Sequence, residues 1–128
     1  MISSNEIIRV LHIDDDEDFL EIFKTVFSRE FEIFQARNTR QALELINKCN
    51  PGIIVTDYEM EENNGLDFLD LLKNKNIEKP VIFCTGHGNE KIVREAFIRG
   101  ASDYFTKEIF SGTHREKFIH AIRKAFML

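Results

Sequence analysis

The 128-residue sequence has no tryptophan, two cysteines, two prolines and six glycines. The cysteines, Cys49 and Cys84, fall in different predicted elements, so they make neither a disulfide framework nor a metal-ligand pair. They are read as free thiols in a reducing cytosol. Basic runs are also missing. Lys and Arg number 17 against 22 Asp and Glu, a net charge of −5, which is not the electrostatic footprint of a nucleic-acid binder. No apolar run approaches the ~20 residues needed to span a bilayer, and the N-terminus lacks the basic start and long apolar core of a signal peptide. The expectation is a cytoplasmic protein whose partners are neither nucleic acid nor membrane.

What is present is an ordinary globular balance, 43% hydrophobic and 30% charged, with twelve phenylalanines read as core filling. A chain of this length favours one domain, residues 1–128 with a core over about 7–126, able to bury roughly two-thirds of its unfolded surface.

Two patterns alternate from end to end. Ile7–Ile13 is a short β-branched run, a buried strand. Asp16 caps a helix to about Ser28, with Glu17 and Asp18 at the positive end of its dipole and Phe19, Ile22, Phe23 and Val26 as the apolar stripe. Phe31–Gln35 alternates as a second strand. Asn38 or Thr39 opens a helix with Ala42, Leu43 and Ile46 inward, stopped by Asn50-Pro51-Gly52. Ile53–Thr56 is the third strand, and Gly65 opens a helix carrying Leu66, Leu69 and Leu72. Pro80–Cys84 is the fourth strand, followed through Gly86-His87-Gly88 by a helix carrying Ile92, Val93, Ala96 and Phe97. Gly100 stands where a helix C-terminal glycine belongs. Asp103–Thr106 is the fifth strand, and a last helix from about Thr113 buries Phe118, Ile122, Ala125 and Phe126. Five strands alternating with five helices imply parallel crossovers and a doubly wound α/β fold.

In such a sheet ligands bind beyond the carboxyl ends of the strands. Those ends carry Asp14 and Asp15, Asp57, Thr85 and Lys107. Three carboxylates at one rim repel unless a cation sits among them, and a hard oxygen set suits Mg²⁺. A phosphoryl group on Asp57 would then be gripped by Mg²⁺, the Lys107 ammonium and the Thr85 hydroxyl. An aspartate needs no base for this, since a carboxylate is already ionised at neutral pH. Helix capping explains Asp16 to Asp18 but not the two carboxylates before them. A calcium loop fails, because Phe19 stands where Gly is needed and Thr25 where Glu is needed. The histidines, His12, His87, His114 and His120, share no ligand spacing, and only His87 lies at the rim.

The order of these pieces resembles the receiver domains of bacterial and archaeal response regulators over about residues 7–126. The resemblance rests on Val10-Leu11-His12-Ile13-Asp14-Asp15-Asp16, on Ile54-Val55-Thr56-Asp57-Tyr58-Glu59-Met60 with Gly65 eight residues after Asp57, on Phe83-Cys84-Thr85-Gly86, and on Gly100-Ala101-Ser102-Asp103-Tyr104-Phe105-Thr106-Lys107. It implies a flavodoxin-like five-stranded parallel sheet in the order 2-1-3-4-5, with five helices. It implies that Asp57 accepts a phosphoryl group from a histidine kinase or a histidine phosphotransfer domain. Asp14 and Asp15, with Asp57 and the backbone carbonyl of Glu59, would bind Mg²⁺, while Thr85 and Lys107 would hold the phosphoryl oxygens. Tyr104 would be the switching aromatic of an output face made by the fourth helix, fifth strand and fifth helix, a face that could also form a homodimer. Glu59 and His87 would flank the attacking water and modulate self-hydrolysis.

The sequence departs from the resembled pattern where Glu61 and Glu108 replace prolines. The Lys107–Glu108 bond is then either trans, with Lys107 held by a different loop, or cis and strained. Two competitors carry different chemistry. A haloacid-dehalogenase-type phosphohydrolase wants a second Asp two residues after the nucleophile, where Glu59 stands. A flavin-binding domain wants a Ser/Thr/Gly-rich phosphate loop where Asp14 and Asp15 stand. Self-catalysed phosphorylation and dephosphorylation, not turnover of an external substrate, is the expectation.

Overall fold

The strands form where the β-branched runs predict them. A computed structural model describes residues 6–60, 64–86 and 88–128. Its strands are β1 (Ile8–Ile13), β2 (Phe31–Ala36), β3 (Ile53–Thr56), β4 (Val81–Thr85) and β5 (Asp103–Thr106), and its helices α1 (Glu17–Phe27), α2 (Thr39–Cys49), α3 (Gly65–Asn74), α4 (Glu90–Ile98) and α5 (Gly112–Met127). All four strand pairings are parallel, and the order is β2-β1-β3-β4-β5. That is the flavodoxin-like order the resemblance implied.

Each sheet face carries its own core. On one side Val10, Phe23, Phe27, Val55, Ile82, Phe118 and Ile122 pack under α1 and α5. On the other, Leu11, Ile13, Ile54, Leu69, Phe83 and Ala96 pack under α2, α3 and α4. The central strands β1, β3 and β4 bury residues on both faces, which is why they read as continuous apolar runs and not as alternations.

Side-chain caps set the helix starts. Asp16 accepts from the N–H groups of Asp18 and Phe19, Asn38 from Gln41, Asn64 from Asp67 and Asn89 from Ile92. Gly100, at φ +104°, ends α4 with paired bonds from Gly100 N–H to Phe97 and Ala101 N–H to Ala96. Asn76 closes α3 in the same way.

Two expected core residues face outward. Ile22 is 47% exposed and Phe97 46% exposed. In α1 the buried residues are Phe19, Leu20, Phe23 and Phe27, and at about 100° per residue the centre of that face lies about 115° from Ile22. Leu20 takes the place the stripe had given to Ile22. In α4 only Ala96 is buried, so Phe97 and Ile98 stay on the surface. Ala125 and Phe126 are partly buried, not buried, and Ile7 lies outside β1 and is exposed.

Candidate functional site

Register, not proximity in sequence, assembles the site. Ile13 pairs with Thr56 across β1 and β3, so the residues that follow them, Asp14 and Asp57, leave the sheet side by side. Their backbones are pinned there: Asp57 N–H donates to the Ile13 carbonyl at 3.0 Å and Asp14 N–H to the Ala36 carbonyl at 3.1 Å. Thr85 pairs with Thr106 across β4 and β5, and Lys107 N–H donates to the Thr85 carbonyl at 3.1 Å. Asp14, Asp57 and Thr85 are buried at the ends of their strands.

Behind Asp57 the start of α3 is tied back to the end of β3. Gly65 N–H donates to the Tyr58 carbonyl at 2.8 Å. A Cβ at Gly65 would stand 2.9 Å from the Asp57 carbonyl oxygen and 3.0 Å from the Phe83 ring, so glycine is what lets α3 start this close to the rim.

Lys107 completes the group. Its Nζ lies 2.8 Å from Asp14 Oδ2 and 3.2 Å from Asp57 Oδ2. The first contact is an ion pair without hydrogen-bond alignment, since Asp14 Oδ2 is buried and accepts no well-directed hydrogen bond among the described residues. The other oxygen, Oδ1, accepts from Asp16 N–H at 2.9 Å. Burial pushes the Asp14 carboxyl up to about 6, with the Asp57 charge adding to the rise and Lys107 and the Asp16 N–H only partly opposing it.

Carboxylate oxygens of Asp14, Asp15 and Asp57 all lie within 4.8 Å of one another. A buried carboxylate oxygen without a directed donor among the described residues, beside two further carboxylates, is a hard oxygen set of the kind that suits a small divalent cation. The residues fit the group they were expected to hold.

Comparison with known proteins decides what this arrangement is. The family model of the response regulator receiver domain matches residues 10–122. The chain is a receiver domain of the two-component response regulators. It is 29% identical to the chemotaxis protein CheY of Halobacterium salinarum, over 77% of this chain and 83% of that protein. It is also 29% identical to a two-component response regulator of Arabidopsis thaliana, over 91% of this chain but only 22% of that protein. The chain thus spans about a fifth of that longer relative. Among solved structures, the receiver domain of the Francisella response regulator 1452 superposes with a TM-score of 0.81 at 29% identity, covering 94% of this chain and 97% of that one. The match replaces the phosphohydrolase and flavin-binding alternatives.

Around the acidic centre of this receiver domain stand the remaining expected residues. Tyr104 is half-buried, its ring 6.1 Å from that of Phe83, and its hydroxyl is buried with no hydrogen-bond partner among the described residues. Burial, with the Asp57 charge second, raises the phenol above its usual range. Glu59 is exposed, and its N–H donates to Asp57 Oδ1 at 3.3 Å. His87 and Glu61 lie outside the described residues. The Lys107–Glu108 bond is trans, the first of the two alternatives.

Four neighbours were not foreseen as part of the site. His12 is fully buried and stacked on Phe23 at 3.7 Å, with Nδ1 3.2 Å from Gln35 Nε2. Burial first, and Lys107 second, hold its imidazole down to about 3, so it is a neutral core residue. Phe19 presents its ring to the Lys107 ammonium, 4.5 Å from the centroid. Gly88 lies against Tyr104, and a methyl group there would overlap the phenol oxygen. Cys84 is buried and its thiol is pushed up by burial, which makes it a packing residue.

Proposed function

We propose that this receiver domain accepts a phosphoryl group on Asp57 from the phosphohistidine of a histidine kinase or histidine phosphotransfer domain. The observation that carries the reading is Lys107 set between two carboxylates, with Asp57 the one that continues the central strand β3 at the rim. An Asp57 carboxylate oxygen forms the new bond to phosphorus as the phosphorus–nitrogen bond breaks, and the departing imidazole takes up a proton from solvent. Lys107, already 3.2 Å from Asp57, turns its ammonium onto the incoming phosphoryl oxygens, and the Thr85 hydroxyl lies on the next strand end to donate to another. Asp14, Asp15, Asp57 and the Glu59 backbone carbonyl would hold Mg²⁺, which when bound neutralises developing charge on the phosphoryl oxygens. Glu59 N–H fixes one Asp57 oxygen and so orients the carboxylate.

On this reading the domain is a switch and not an enzyme: it modifies itself, hydrolyses the product slowly and releases no external product of note. On the same reading it works in the cytoplasm. The half-buried Tyr104 of β5 and the exposed Phe97 and Ile98 of α4 support α4, β5 and α5 as the output face, and as the face of a homodimer. The test is intact-protein mass spectrometry after exposure to acetyl phosphate or phosphoramidate with Mg²⁺. One added phosphoryl group on wild type and none on Asp57→Asn is expected. Equal labelling of both would overturn the assignment.

A further inference from the structure

Lys107 has to do two things. At rest it neutralises carboxylates, and on phosphorylation it must move to the new oxygens without being lost to solvent. A lysine is poorly suited to this, because its four-carbon stem is flexible and its ordering is entropically costly. Its ammonium is held between two kinds of partner. Asp14 and Asp57 stand at 2.8 and 3.2 Å from Nζ. The stem passes Gly86 with room to spare, since even a Cβ added there would stand 3.9 Å from Lys107 Cδ. The other partner is the ring of Phe19, whose centroid is 4.5 Å from Nζ.

That ring is itself held. Phe19 comes from the first turn of α1, is 7% exposed, and packs on Phe110 at 5.2 Å and edge-on to His12 at 5.6 Å. Phe110 belongs to the segment that follows Lys107, and its neighbour Ile109 is 1% exposed, so the chain leaving Lys107 is anchored in the core under the same ring. The ring faces of aromatic residues attract cations, more strongly where water is excluded. Lys107, with a side chain 22% exposed, is largely desolvated here.

We propose that Phe19, braced by Phe110, is a positioning residue for Lys107, its ring face holding the ammonium at the rim and serving as the pivot on which it turns from the carboxylates to the phosphoryl group. This rests on the reading of Asp57 as acceptor. Asp57 is phosphorylated and the other carboxylates turn to the cation when phosphoryl and metal arrive, but the ring takes no part in either event, so its contact with the ammonium can persist through the transfer. Loss of the ring's quadrupole with its volume retained should therefore slow labelling without unfolding the domain.

The experiment replaces Phe19 by Leu, and separately by difluoro- and pentafluorophenylalanine, which weaken and then reverse the charge on the ring face while keeping its shape. Labelling with phosphoramidate and Mg²⁺ should slow in proportion to fluorination, reaching about three- to tenfold for the pentafluoro ring and for Leu. In the unphosphorylated, metal-free protein, the ε-methylene protons of Lys107 should resonate upfield in wild type through the ring current of Phe19, and lose that displacement in Phe19→Leu. Labelling rates that stay level across the fluorinated series, or an ε-methylene shift unchanged by Phe19→Leu, would show Phe19 to be core packing alone. Failure of wild type to label on Asp57 at all would instead strike the acceptor reading, and the proton shift would still report on the ring and the ammonium.

Discussion

Asp14 is buried beside Lys107, 2.8 Å from its ammonium, yet its carboxyl is raised to about 6 because burial and Asp57 outweigh that pairing. A carboxyl whose folded pKa is raised binds its proton more tightly in the native state than in the unfolded chain. Its ionisation therefore destabilises the fold as pH rises from about 4 to about 6, and the full penalty persists above that window. Asp14→Asn removes the penalty. In the absence of divalent metal it should stabilise the domain at pH 7 by on the order of 1–3 kcal/mol, and the gain should shrink toward zero near pH 4. Urea unfolding in a chelator across pH 4–8 checks this. A difference between the two proteins that is the same at every pH would contradict it.

The same repulsion makes the acidic group a metal sensor in the thermal melt. A cation bound only by the native state stabilises it by RT ln(1 + [L]/Kd), about 2.7 kcal/mol at a hundredfold excess over Kd. Adding Mg²⁺ should raise the Tm of wild type, and the double substitution Asp14→Asn with Asp15→Asn should remove that rise while raising the Tm measured without metal. Equal Mg²⁺-dependent shifts in both proteins would place the cation elsewhere.

Gly88 decides where Tyr104 can sit. A methyl at position 88 overlaps the phenol oxygen, and the phenol has little room to yield because its ring lies against Phe83. Gly88→Ala should turn Tyr104 outward. With Tyr58→Phe as background, Tyr104 is the sole tyrosine and no tryptophan competes, so iodide quenching of tyrosine fluorescence reports it directly. Quenching should increase in Gly88→Ala. An unchanged quenching constant would mean that the α4 start shifts instead.

The fold was legible because β1, β3 and β4 are short, largely apolar runs and β2 alternates, and because Asp16, Asn38 and Gly100 carry their cap chemistry openly. The acidic group was legible for a topological reason: residues at or one past a strand end converge whatever the core does, so Asp14, Asp57 and Lys107, one past theirs, and Thr85, the last of β4, needed only a parallel sheet to share one rim. What escaped depends on helix phase and on contacts between distant segments. Ile22 and Leu20 differ only in rotation about α1, which a stripe of apolar letters does not fix when Phe19, Leu20, Ile22 and Phe23 are all apolar. Phe19 against Lys107, and Gly88 against Tyr104, join residues far apart in the chain, and neither pairing has a local signature.

The lifetime of the phosphorylated form is where this sequence should differ most from its relatives. Hydrolysis needs a water in line with the bond between Asp57 and phosphorus, approaching from solvent. Glu59 is expected at that approach, being exposed and having its backbone N–H bonded to Asp57 Oδ1 at 3.3 Å. An anion there can orient the water, but it also adds negative charge beside the phosphoryl group and competes for Lys107. His87, two residues beyond Thr85, is the second side chain expected at the approach, either as a neutral acceptor for the water or, protonated, as a cation that anchors Glu59. Glu59→Ala and His87→Ala should each leave the extent of Asp57 labelling unchanged and alter its decay several-fold, which corresponds to ~1 kcal/mol in barrier height. The double substitution should depart from the product of the single effects if the two side chains interact. The measurement is the loss of phosphoprotein after rapid removal of the donor, for both single variants and the double. Decay indistinguishable from wild type in all three would reduce both residues to solvated rim positions and leave the water to be oriented by the backbone.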